Sequence, residues 1–183
     1  MTSLYDAAIV PAIRAIKSEL TILAKAEEWT ATNGNGVTVA DLLGARIYED
    51  MYPASIQIVI TAVFALKGAE LLTGRTSEPV GFRDRNFEEC RALLADSLKT
   101  LEGVKPEEVN GKEDDVVAFA VGKRAGKAQA KECDTVYVHR YLVPTLYFHL
   151  TTLYDILRMK GVPLGKLDFL THYLDAVDLS PPL

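Results

Sequence analysis

Ala54-Ser55-Ile56-Gln57-Ile58-Val59-Ile60-Thr61-Ala62-Val63-Phe64-Ala65-Leu66 opens a segment that continues to Leu72 and is apolar on nearly every face. A helix that is apolar all round must be covered all round, so this segment predicts the most buried helix of the chain, surrounded by others. Gly74 follows as a helix terminator. The longest nearly unbroken apolar stretch, Ile58 to Leu66 with Thr61 inside it, is far short of the ~20 residues a membrane span needs. The expectation is therefore a core helix, with no membrane contact.

Outward from this segment the other helices follow. Upstream, Ser3 and Asp6 make a helix start, and Leu4, Ile9, Ile13, Ile16, Leu20, Leu23 and Ala24 repeat at helical spacing. Pro11 predicts a bend or a break there, and Thr32-Asn33-Gly34-Asn35-Gly36 ends the segment. Val37 to Pro53 reads as a connection with one or two helical turns, capped by Thr38 or Asp41. Downstream, Phe87, Cys90, Leu93, Leu94, Leu98 and Leu101 mark a third helix ending at Gly103, followed by a polar loop to Asp115. Val116–Val121 and Lys127–Cys133, around Gly122 and Gly126, read as a β-hairpin. A fourth helix, capped by Asp134 or Thr135, runs to about Lys160, with Pro144 freeing the Arg140 carbonyl and bending it. A short helix from Leu167 to Ala176 closes the reading. The sum is a mainly all-α single domain over 1–183: an antiparallel four-helix bundle with a small β-hairpin between the third and fourth helices.

Composition agrees. At 183 residues, 49% hydrophobic and 25% charged, the chain can close one core, and a net charge of -5 with a pI near 5.3 offers no basic field for nucleic acid. The run Lys123-Arg124-Ala125-Gly126-Lys127 is too short to supply one. Cys90 and Cys133 are far apart and lack zinc spacing, which predicts two reduced thiols, a single disulfide being the alternative. No signal-peptide pattern opens the chain, so a cytoplasmic protein is expected.

The chemistry concentrates in Tyr147-Phe148-His149-Leu150-Thr151-Thr152, near the centre of the fourth helix. An imidazole in an apolar setting needs a partner for its ring N–H. Thr145, His149 and Thr152 share one helix face, and Gln57 and Thr61, the polar residues of the core helix, share another. If the two helices are neighbours, the stripes meet. They then form either a satisfied hydrogen-bond network or a partly polar pocket in which His149 exchanges a proton with a small molecule. Tyr52, with Tyr5, Tyr48, Tyr147 and Tyr154, is a candidate for the pocket mouth. His139 lies ten residues from His149, about 15 Å along the axis, too far to share a metal. No nucleotide, nucleophile-elbow or zinc motif is present.

Leu42-Leu43-Gly44-Ala45-Arg46, Asp50-Met51-Tyr52-Pro53, Gln57, the Tyr147–Thr152 stretch and Gly161-Val162-Pro163-Leu164-Gly165-Lys166-Leu167-Asp168-Phe169-Leu170 together resemble the domain of unknown function family nineteen ninety-three. That family resembles a branch of the DinB/YfiT-like superfamily of four-helix bundles, described as metal-dependent enzymes and often dimeric. The resemblance implies a DinB-like bundle and a homodimer. DinB-like metal sites use three histidines of the second and fourth helices. Here the second helix has no ionisable residue between Gln57 and Lys67, and where related sequences carry an acid near position 63 and a second histidine near 159, Val63 and Met159 stand.

The functional expectation is a metal-free, cofactor-free enzyme or binding protein for a small organic molecule. His149 would be its catalytic general acid or base in an isomerisation, cyclisation or elimination, and Gln57, Thr61, Thr145, Thr152 and Tyr52 would bind the substrate. The alternatives are a non-catalytic homodimeric bundle with a structural His149, and a DinB-like divalent-metal hydrolase or transferase.

Overall fold

The periodic segments become helices close to where their caps and glycines place them. The computed structural model describes residues 2–120, 127–130 and 133–174, with the backbone alone at 120, 127–130 and 133–135. Helix α1, Leu4–Thr32, starts where the Ser3 hydroxyl accepts the Asp6 N–H at 3.1 Å. It runs through Pro11 without the expected break. Pro11 removes only the bond to the Ala7 carbonyl, while Leu4 and Ala8 before it and Ala12, Ala15 and Ile16 after it are buried in one core that holds the two parts as one helix.

In α2, Val39–Gly44, the two candidate caps act together, Asp41 N–H donating to Thr38 Oγ1 and Thr38 N–H to the Asp41 carboxylate. The core helix is α3, Ala54–Thr73, ended by Gly74 in the left-handed region at φ 77°. By length and composition α3 would suffice to cross a membrane, with a mean hydropathy of 1.6, but 67% of that window is buried against the rest of the fold. A capping box of Asn86 and Glu89 opens α4, Phe87–Glu102, and a short α5, Pro106–Val109, interrupts the stretch expected to be loop. Strands β1, Val117–Ala120, and β2, Lys127–Ala130, pair antiparallel with Val117 opposite Ala130. The hairpin turn and the basic run through Lys123 and Arg124 lie outside the described residues.

The fourth helix differs from its expectation in kind. Cys133–Leu142 is wound as a π-helix, and α6, Val143–Met159, continues it in α form. The winding changes one residue before Pro144, whose missing N–H leaves a carbonyl of the preceding turn without its helix bond. The described part of this helix starts at Cys133, ahead of the expected caps. The last segment is shorter than expected, with α7 at Lys166–Leu170 and a 3₁₀ turn at Thr171–Tyr173; the Ala176 end of the expected helix lies outside the described residues.

Contacts between the long helices fix their directions. Lys17 pairs with Glu102 and Arg91 with Glu27, so α1 and α4 are antiparallel. Gln57 meets His149 and Phe64 meets Tyr141, so α3 and the fourth helix are antiparallel as well. Ser55 bonds Asp84 just ahead of α4, and Arg75 reaches the Gly103 carbonyl just after it, which makes α3 and α4 parallel. The bundle is therefore up, down, down, up, with residues 74–86 returning along its length. The fourth helix winds tightly on α3 at Gly68, where an added Cβ would lie 2.8 Å from Leu142 Cδ2.

Candidate functional site

The two polar stripes do meet. His149 Nδ1 lies 2.7 Å from Gln57 Oε1, and Gln57 Nε2 donates to the Tyr52 carbonyl at 3.0 Å. The second bond fixes the first. A carbonyl only accepts, so the Gln57 amide nitrogen must face Tyr52 and its oxygen must face the imidazole. Nδ1 then carries the ring proton, and Nε2 keeps a lone pair. Burial pushes the imidazole from its ordinary 6.5 down to about 4, so His149 is neutral at physiological pH. Phe64 stacks on one side of it, with ring centroids 6.4 Å apart, and Phe148 packs edge-on at 5.1 Å.

The threonines are placed on these stripes but donate within their own helices. Thr61 bonds the Gln57 carbonyl, Thr145 the Tyr141 carbonyl and Thr152 the Phe148 carbonyl. Each hydroxyl keeps only acceptor capacity for a ligand. Tyr52 supplies its carbonyl to Gln57 and its ring to Phe82. Tyr147 and Tyr154 turn the other way, onto Tyr173 and Phe169 of the last segment, and the Tyr154 hydroxyl bonds the Leu164 carbonyl.

A DinB-type metal would need further ligands around His149. Among the described residues no group of three His, Cys, Asp or Glu side chains is placed to hold an ion. The imidazole has the neutral form and fixed orientation of a metal ligand, but Val63 and Met159 are apolar, and Met159 is exposed. The donor set therefore does not fit the metal the superfamily implies. Cys90 offers no substitute. It is a free, buried thiol pushed up to about 12, mainly by burial, and the Cys133 side chain lies outside what is described.

One buried ionisable residue escapes a reading based on apolar spacing. Glu19 on α1 is fully buried, and neither carboxyl oxygen has a hydrogen bond. Burial outweighs the lowering effect of Thr61 on its pKa, and the proton of that hydroxyl is committed to the Gln57 carbonyl. Burial raises the Glu19 pKa well above the ordinary value and keeps the acid protonated. The signal was its register: Glu19 lies between Ile16 and Leu23 on the stripe that also buries Ala12, Ala15 and Ala26, whereas Leu20 is only half-buried.

Beside His149, Phe64 also lines a cavity of about 420 Å³ together with Val63, Lys67, Phe119, Tyr137 and Tyr141. An up-down-down-up bundle with a hydrogen-bonded histidine between its second and fourth long helices defines a DinB-like helical domain. The crystal structure of a DinB family member protein from Shewanella denitrificans matches it with a TM-score of 0.78, at 27% identity over 91% of this chain and 91% of that one. Within that class the chain belongs to the family of the domain of unknown function DUF1993, whose model matches residues 4–170. No curated protein matches the sequence.

Proposed function

We propose that this protein acts on a small organic molecule without a metal, with His149 Nε2 as the proton-accepting group. The observation that carries the reading is the Tyr52, Gln57 and His149 chain of hydrogen bonds, which fixes the tautomer and aims one lone pair away from the α3 contact. An imidazole held near 4 is a weak base. It takes a proton from a site that the bound substrate has already made acidic, and its short-lived imidazolium returns that proton readily. An isomerisation needs only this exchange. In an elimination the same proton removal accompanies departure of the leaving group. Gln57 is a positioning residue in this scheme, because it acts through the imidazole.

The test compares the wild type with His149→Ala and His149→Gln, prepared without a histidine tag, on candidate substrates drawn from the products of neighbouring genes. Turnover should fall at least 100-fold in both variants while circular dichroism and melting stay near wild type, and chelators should leave the wild-type rate unchanged. Chelator-sensitive turnover, or full activity in His149→Gln, would overturn the reading.

A second reading is favoured by one observation. Ile47, Tyr48, Tyr52, Phe82 and Phe148 are large apolar side chains left exposed, and Tyr52, Phe82 and Phe148 lie close to the His149 cluster in sequence or by contact. A homodimer burying them would make His149 a structural residue of the interface region. Sedimentation of wild type against Phe148→Ser separates the two, since loss of a dimer with retained turnover leaves the first reading standing.

A further inference from the structure

The cavity beyond Phe64 has the build of a ligand site. Its walls are Phe64 and Val63 from α3, Phe119 from β1, and Tyr137 and Tyr141 from the π-helix. The rings touch one another: Phe119 lies 4.6 Å from Tyr141 and 4.9 Å from Tyr137, and Phe64 lies 5.7 Å from Tyr141 by ring centroids. Tyr137 is 2% exposed, so this is a rigid aromatic wall and not a cluster of loose surface rings. Tyr137 and Tyr141, four residues apart on the π-wound segment, present their rings on the same side with centroids 6.3 Å apart, and π windings are frequent at functional sites. Phe119 closes the wall from a two-stranded hairpin that pairs with no other strand among the described residues.

The mouth is polar and electrically balanced. Lys67 and Glu70 both line it and form an ion pair with each other. Glu70 is further anchored by the Ser77 backbone N–H and hydroxyl, and the bonds from Lys67 and Ser77 hold its pKa low despite partial burial. A carboxylate entering here would face Glu70, and an ammonium would face Lys67. A neutral head that accepts from one and donates to the other meets neither repulsion.

We infer that this cavity binds a planar, largely aromatic molecule with a neutral carboxamide-like head, its ring between Phe64, Phe119 and Tyr141 and its head between Lys67 and Glu70. At interior packing density the volume suits a ligand of roughly fifteen to twenty non-hydrogen atoms. The inference deepens the proposed function and rests on it for the ligand's role as substrate: Phe64 is the wall between the cavity and the imidazole, so a substrate seated here extends toward His149 around that ring.

Binding itself is tested apart from turnover. The full chain is titrated calorimetrically with 2-naphthamide, 2-naphthoate and 2-naphthylmethylammonium, and again as Ala118→Trp, which adds an indole at an exposed cavity-lining position on β1, as Lys67→Met, and as His149→Ala. The amide should saturate one site at least tenfold more tightly than either charged probe. Ala118→Trp should weaken it tenfold or more, Lys67→Met, which leaves Glu70 without its cation, should abolish the preference over naphthylmethylammonium while naphthoate stays the weaker ligand, and His149→Ala should change it less than twofold. No saturation by millimolar amide, or equal binding in a folded Ala118→Trp protein, overturns the inference. Should Ala118→Trp fail to fold, Lys67→Met, at an exposed side chain, decides instead, and an unchanged preference for the amide over naphthylmethylammonium in that variant overturns the inference. Intact amide binding in a His149→Ala protein that keeps its turnover would sink the proposed role of His149 and leave the site standing.

Discussion

Two buried ionisable side chains, His149 and Glu19, are held away from their charged forms for different reasons. His149 is neutral because burial opposes the imidazolium and Gln57 offers its proton a neutral acceptor. Gln57→Glu replaces that acceptor with a carboxylate, which should lift the imidazole from about 4 toward or above its ordinary 6.5, as read by NMR titration. The Glu19 pKa is raised because burial, only partly offset by Thr61, disfavours the charged carboxylate. A hydrogen-bond-free carboxyl in a core costs stability, so Glu19→Met should raise the unfolding free energy by about 1–3 kcal/mol in urea. A loss of comparable size would mean that the carboxyl has a partner there.

Among the elements, the close crossing of α3 on the fourth helix is the most demanding contact. Gly68→Ala would put a Cβ 2.8 Å from Leu142 Cδ2 and 3.0 Å from Cδ1, and both atoms belong to a side chain only 1% exposed. Overpacking of ~1–3 kcal/mol should outweigh the ~1 kcal/mol that alanine gains over glycine in a helix, for a net loss of about 1 kcal/mol. In a Leu142→Ala background the same change should turn stabilising, and a constant effect in both backgrounds would contradict the contact. The helices themselves were legible because Ser3, Thr38, Gly74 and Gly103 punctuate strong apolar periods. The meeting of Gln57 with His149 was legible too, since each is a polar interruption in an apolar helix. The π winding was not, because Tyr137 and Tyr141 fit an α period as well as a π period. Nor was the continuity of α1 through Pro11, which local chemistry opposes and the core of Leu4, Ala8, Ala12 and Ile16 enforces.

For the whole molecule, these groups set opposing pH dependences. The His149 pKa is lower folded than unfolded, so its contribution is fully present above 6.5 and is lost as pH falls toward 4, a change on the order of 3 kcal/mol. The Glu19 pKa is higher folded than unfolded, so its contribution is present below the ordinary 4.5 and is lost as pH rises through the folded value. Between 4.5 and 6.5 the two partly cancel. Glu19→Gln should therefore steepen the rise of stability across this interval, and the gap between variant and wild type should widen with pH in thermal melts. The central claim, that the bundle holds His149 as a neutral Nδ1–H imidazole with an available Nε2 lone pair and no metal, is tested most directly by two-bond ¹H–¹⁵N NMR on protein labelled at histidine. An Nδ1–H tautomer of His149 should persist from pH 7 down to a midpoint near 4, unchanged by chelator. A midpoint near 6.5, an Nε2–H tautomer, or chelator-dependent shifts would contradict it.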